Sequence, residues 1–204
     1  PLTFGRREAL FLKDDAAIIP QKTGYDLIIT KDAIAEGTHF FSSDSAYNIA
    51  RKLIRVNLSD LAAKGATPYC SFLAMALPKE TTEQWLQEFT AGLKADMETF
   101  GFFIAGGDTT THDGGLVLTL TALGYAPSGK AILRSGAKEG DLIFSTGTIG
   151  DSYLGLEILK GNHQNLSATA KDFAIDRYHK PQPRVSVGKS LLDIATACAD
   201  ISDG

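Results

Sequence analysis

Cysteine is scarce: Cys70 and Cys198 are the 2 cysteines among 204 residues, and neither stands in CxxC spacing. That excludes a disulfide framework and a thiolate zinc site, and it fits a reducing compartment. No apolar run approaches the ~18 residues of a membrane span, and no charged-then-apolar leader opens the sequence. Clustered Lys and Arg are missing as well, with 20 basic against 24 acidic side chains and a net charge of −4, so no nucleic-acid groove is expected. Histidines 39, 112, 163 and 179 show no zinc spacing, and no Gly-x-Ser-x-Gly elbow occurs. Gly188-Lys189-Ser190 imitates the end of a P-loop, but Pro183 stands where its earlier glycine belongs. What remains is a chain 44% apolar and 22% charged, of a length for one large or two small domains and expected to be cytoplasmic.

β-branched and aromatic residues over Tyr25–Thr30 predict a strand, as do Ala16 to Ile19 before it. Ala46, Ile49, Ala50, Leu53, Ile54, Leu58 and Leu61 recur at helical spacing, with Asp44 or Ser45 as cap and Gly65 as closure. Residues 69–77 predict a buried strand, and Thr81-x-x-Gln84 has the form of a capping box for a helix striped by Trp85, Phe89, Leu93, Met97 and Phe100. A short strand Phe102–Ala105, a turn at Gly106-Gly107-Asp108-Thr109 and a strand Leu116–Leu123 follow. The linker Pro127-Ser128-Gly129 divides residues 1–127 from a differently patterned section, 128–204, with a strand at Asp141–Ser145 and helices at Ser152–Lys160 and Val185–Ala197. The predicted class is α/β (α+β): a mixed-sheet domain with helices, then the first part of a second α/β domain. The opening Pro1-Leu2-Thr3 and the closing Asp200-Ile201-Ser202-Asp203-Gly204 read as the ends of a truncated chain.

Aspartates stand at the ends of short apolar segments: Asp14 and Asp15, Asp32, Asp60, Asp108, Asp200 and Asp203. Each alone is an ordinary turn or cap residue. Gathered on one rim, such carboxylates repel unless they share a cation, and hard oxygen ligands suit magnesium that also touches phosphate. Asp60 is the least turn-like, because a carboxylate near a helix C-terminus opposes the dipole. A magnesium ion, Lys64 or Arg55 would each offset it. Gly106-Gly107 can present N–H groups to a phosphate, and Gly147–Ser152 either holds an anion or makes a tight strand-to-helix turn. His39, alone, reads as a surface loop histidine, and Cys70 as a buried structural thiol.

The ordered segments Lys13-Asp14-Asp15-Ala16-Ala17, Asp32 to Phe40, Val56-Asn57-Leu58-Ser59-Asp60-Leu61-Ala62-Ala63-Lys64-Gly65-Ala66, Gly106-Gly107-Asp108-Thr109, Arg134-Ser135-Gly136-Ala137, Gly150-Asp151-Ser152 and Asp200–Gly204 together resemble the thiamine-monophosphate kinase family, within the aminoimidazole ribonucleotide synthetase-like superfamily. The resemblance implies ATP-dependent phosphorylation of thiamine monophosphate to thiamine diphosphate, in a homodimer joined through the N-terminal domain. Carried over residue by residue, it implies magnesium positions at Asp15, Asp32, Asp60, Asp108, Asp200 and Asp203, with Asp60 and Asp108 central to catalysis. It implies nucleotide contacts at Gly107, Asp108, Arg134 and Ser202, and a substrate contact at His39. Lys13, Lys31 and Lys64 depart from the family pattern, which often has Gly, Thr or Ser, and Met there, and no counterpart of the later substrate segment precedes Gly204. Another ATP-using superfamily member and a silent nucleotide or magnesium sensor are the alternatives.

Overall fold

Ser45 starts the first helix by accepting the Asn48 N–H at 3.3 Å in this computed structural model, which describes residues 2–202. That helix, α1 (Ala46–Ala63), closes at Gly65, whose φ is 69°. The Gly65 N–H bonds to the Ala62 carbonyl and the Ala66 N–H to that of Leu61, both at 2.9 Å, a closure that the left-handed glycine permits. Helix α2 (Glu83–Phe100) is capped by Thr82 rather than Thr81: Thr82 accepts the Trp85 N–H, while the Thr81 hydroxyl donates to the Pro78 carbonyl at 2.7 Å. The cap therefore sits one residue later than expected and no capping box forms: Thr81 is occupied in closing the turn that leaves Pro78, Trp85 stands at the third helical position, and the Gln84 amide donates to Glu88.

Four strands, β1 (Tyr25–Ala35), β2 (Thr67–Pro78), β3 (Phe103–His112) and β4 (Val117–Pro127), form a mixed sheet in the order β1-β4-β2-β3. The β2–β3 pair is parallel and the other pairs are antiparallel. Leu53, Ile54, Leu58 and Leu61 of α1 pack into one core with Phe89, Leu93 and Met97 of α2 and Leu118 and Leu120 of β4. Each such side chain contributes about 1.5–3 kcal/mol relative to exposure. The two helices touch at Gly92, where a Cβ would overlap the Tyr47 carbonyl.

Beyond the sheet come α3 (Asp151–Leu159), α4 (Ala168–His179) and α5 (Val185–Ser190). Four expectations need correction. Ala16–Ile19 is not a strand: the Ile18 N–H bonds to the Glu8 carbonyl, and Pro20 ends the segment. The glycine pair is not a turn but lies inside β3, where a Cβ on Gly107 would overlap the Leu73 carbonyl. Asp141–Ser145 has no strand partner among the described residues, and Ile143 is 99% exposed. The last helix stops at Ser190, since turn-like bonds to Leu191 and a φ of 63° at Asp193 break its continuation to Ala197. Helix α4 is additional to the sequence expectation. No helix among the described residues is long and apolar enough to cross a membrane.

Candidate active site

Along β1, Thr30 and Asp32 alternate with exposed Ile29 and Lys31, so they share the face turned to α1. Asp32 therefore lies inside a strand rather than at its end. Fully buried Asn57 of α1 accepts the Asp32 N–H at 3.2 Å and donates to the Leu53 carbonyl at 2.9 Å, which locks strand to helix. One turn further along α1, Asp60 accepts the Thr30 hydroxyl at 2.5 Å. This hydroxyl, rather than Lys64 or Arg55, is the bonded partner of the carboxylate that opposes the helix dipole.

Asp200 arrives beside this pair from the far end of the chain. Its carboxyl is pushed up, first by burial and then by the Asp60 charge, while its own backbone, the Ser59 hydroxyl and Arg134 pull it down. Asp60, Asp200, Ser59 and Arg134 thus form one charged neighbourhood. A cleft of about 200 Å³ adjoins it, lined by Ile28, Ile29, Thr30, Asp60, Leu61 and Lys64.

Other predicted residues stand apart. Asp15 lies in an exposed loop, its N–H bonded to Asp14. Gly107 and Asp108 occupy β3, the sheet edge opposite β1, so three strand spacings, about 14 Å, separate them from Asp32. The Asp108 carboxylate accepts the Thr109 N–H at 2.9 Å. His39 sits in the turn after β1, with its Nδ1 accepting the Ala35 N–H at 3.1 Å. Ser202 is exposed, and Asp203 lies outside the described residues. Among the described residues no three His, Cys, Asp or Glu side chains gather into a metal cage. Magnesium does not require one, because it keeps several waters and is commonly held by one or two carboxylates plus substrate phosphates. The coupled Asp60 and Asp200 carboxylates fit that requirement.

Without a cation, Asp200 binds its proton more tightly folded than unfolded. Its contribution to stability is then present at acid pH and is lost as pH rises through its folded pKa, which lies above the ordinary 3.8. Thermal unfolding against pH is expected to show that loss, and Asp200→Asn or millimolar magnesium is expected to remove it. Identical pH profiles for the wild type and Asp200→Asn would dissociate Asp200 from Asp60.

Sequence reasoning quoted Asn57 and Ser59 but assigned them no task, and it passed over Thr30. The signal available was the i, i+3 spacing of Asn57 and Asp60 on one face of α1.

Residues 13–126 match the family model described as AIR synthase related protein, N-terminal domain. The chain is 46% identical to the thiamine-monophosphate kinase of Caulobacter vibrioides over 204 residues, all of this chain and 57% of that protein. A solved thiamine-monophosphate kinase from Stenotrophomonas maltophilia K279a superposes with a TM-score of 0.88 at 36% identity, covering 100% of this chain and 65% of that one. The solved complex of AaThiL with AMPPCP and TMP gives 0.83 at 29% identity over 91% of this chain and 59% of that one. The chain thus spans less than two thirds of the length of the relatives it matches. More than half of it matches one family model, on a mixed sheet and two helices of the kind its relatives share: the chain belongs to the AIR synthase related proteins and carries their N-terminal domain.

Proposed function

We propose that the protein transfers the terminal phosphoryl group of ATP to thiamine monophosphate, giving thiamine diphosphate and ADP, as a step of thiamine diphosphate biosynthesis in the cytoplasm. The observation that carries this reading is the Asp60–Asp200 pair, set beside Arg134 and tied to β1 through Thr30. Similarity to thiamine-monophosphate kinases along the chain, and to a relative solved with AMPPCP and TMP, supports the choice of substrates.

In-line phosphoryl transfer needs alignment and neutralisation of crowded negative charge more than covalent help. Asp60 and Asp200 would hold magnesium, with Asp32 beside them and Asp15, Asp108 and Asp203 as further metal positions. When bound, that ion neutralises phosphate charge and keeps the donor and acceptor phosphates in line. Arg134 can fork onto a phosphate oxygen, with Gly107, Asp108 and Ser202 as the other nucleotide contacts. Because Nδ1 of His39 accepts a backbone N–H, its neutral ring carries the proton on Nε2, a donor suited to the monophosphate. Residues 1–127 form the ATP- and magnesium-binding domain in this reading, and 128–204 begin a second domain.

A homodimer through the sheet belongs to the same proposal. The face of β1 away from α1 exposes Tyr25, Leu27 and Ile29, the last 59% accessible. A second copy on that face also offers a route by which an Asp108 comes near the Asp60 pair, which the two opposite sheet edges deny within one copy. Light scattering is expected to give twice the monomer mass, and Ile29→Lys is expected to halve it; a monomeric wild type would end this part of the reading.

Phosphorus NMR of the full-length protein with ATP, magnesium and thiamine monophosphate tests the reaction. Thiamine diphosphate appearing with ADP is the expected result. ATP left intact, or consumed without that product, would overturn it.

A further inference from the structure

The turn that carries His39 is gripped from below. Gly37, with φ 77°, reverses the chain, and the Thr38 and His39 N–H groups both bond to the Ala35 carbonyl. Lys52 of α1 lies beneath this turn and is only 7% exposed. Its ammonium donates to the His39 carbonyl at 3.0 Å and lies 3.3 Å from the centroid of the Tyr178 ring. The Tyr178 hydroxyl, on α4, donates to the same carbonyl at 3.4 Å. Asp44 accepts the Phe41 N–H at 3.0 Å and stands 3.1 Å from His179 Nε2. Lysines are seldom buried, because their long stems ordinarily carry the charge out to water.

We propose that Lys52 is a positioning residue for the His39 ring, with the Tyr178 hydroxyl as its second support. The ammonium at 3.0 Å is the main donor to this carbonyl, and the Tyr178 hydroxyl at 3.4 Å, which also reaches Asp44, supports it; together they hold the peptide plane that follows His39. Buried Phe40 pins the next residue, so the orientation of the imidazole follows from the backbone beneath it. The inference rests on the proposed substrate role of His39, and it adds the residues that aim that ring.

Stability does not account for a lysine in this place. Burial lowers its pKa from 10.5 to about 8, against a smaller opposing effect of Asp44. The folded state therefore binds its proton less tightly than the unfolded chain. Below about 8 the buried charge opposes folding, and that opposition is relieved as pH rises toward 10.5. Asp44, Tyr178 and His179 are the titratable groups facing it from the preceding loop and from α4.

The test uses Lys52→Met, Lys52→Arg and Tyr178→Phe in the full-length protein. Lys52→Met is expected to keep or raise the melting temperature while raising KM for thiamine monophosphate about tenfold, with KM for ATP unchanged. Lys52→Arg, still a cation and a donor, is expected to recover part of that loss. In nitrogen-15 spectra the His39 ring resonances are expected to move in both Lys52→Met and Tyr178→Phe, at pH values where the fold is intact. Unmoved ring resonances in both variants would overturn the proposal, and so would a fall in melting temperature with KM unchanged. Should Lys52→Met not fold, Tyr178→Phe decides alone, since it removes only the hydroxyl. An unchanged KM in His39→Ala, with ring resonances still moving in Lys52→Met, would overturn the substrate role of His39 and leave the positioning intact.

Discussion

Asp60→Asn in the full-length protein is expected to lower turnover on the order of a thousandfold while leaving the fold intact. The asparagine oxygen can still accept the Thr30 hydroxyl that Asp60 accepts at 2.5 Å, so the link between β1 and α1 survives. The charge does not survive, and with it goes half of the carboxylate pair proposed to hold magnesium. Removing a like charge beside Asp200 relieves repulsion, so the metal-free variant is expected to melt no lower than the wild type. Steady-state turnover at saturating ATP, magnesium and thiamine monophosphate, run beside thermal unfolding, checks both halves. Activity within threefold of the wild type would remove Asp60 from the catalytic group.

The largest effect on stability is expected from Asp96→Ala. Asp96 is fully buried on α2 and accepts Arg55 Nε at 2.6 Å and Nη2 at 2.8 Å, together with Arg51 Nε at 3.0 Å. Arg55 is itself buried, and its Nη1 donates to the Pro181 carbonyl at 3.1 Å. Removing the carboxylate leaves a buried guanidinium without its counter-charge, which costs about 3–5 kcal/mol. For a chain of this size that corresponds to a fall of roughly 6–20 °C in melting temperature. Denaturant titration measures it directly, and a loss below about 1 kcal/mol would mean that both arginines reach water in the variant.

The two long helices were legible because cap, stripe and glycine closure agree along one stretch of chain. Strand Tyr25–Ala35 was legible from its β-branched and aromatic composition, though its length was underestimated by the residues that follow Thr30. Ala16–Ile19 and Asp141–Ser145 have strand-like composition, but a strand also needs a neighbour, and composition does not supply one. Helix α4 carried a readable sign that was passed over: Ser167 accepts the Ala170 N–H, and Ala170, Ala174 and Tyr178 follow at four-residue spacing. In β3 the glycines suggested a turn, although their need is for close approach to β2. At the site, the aspartates drew attention one by one. That Asp200 meets Asp60 depends on the path of the chain after α5, and that Asp108 lies at the other edge of the sheet depends on strand order; no local pattern states either. Thr30 and Asn57 went unassigned because their value lies wholly in the partners that the fold gives them.

Helix α1 also serves as a ruler. Lys52 beneath the His39 turn and Asp60 beside Asp200 are eight residues apart on it, about 12 Å along the axis and about 80° around it. Between them Arg55 is clamped by Asp96 and Asn57 by the strand, so this span has little freedom to stretch or rotate. The distance between the two ends of the proposed site is thus set by helical pitch rather than by loop conformation. Loss or gain of one residue within it would swing one end by about 100° relative to the other. Every side chain of α1 is buried or half-buried, so its faces are committed along with the number of residues between 52 and 60.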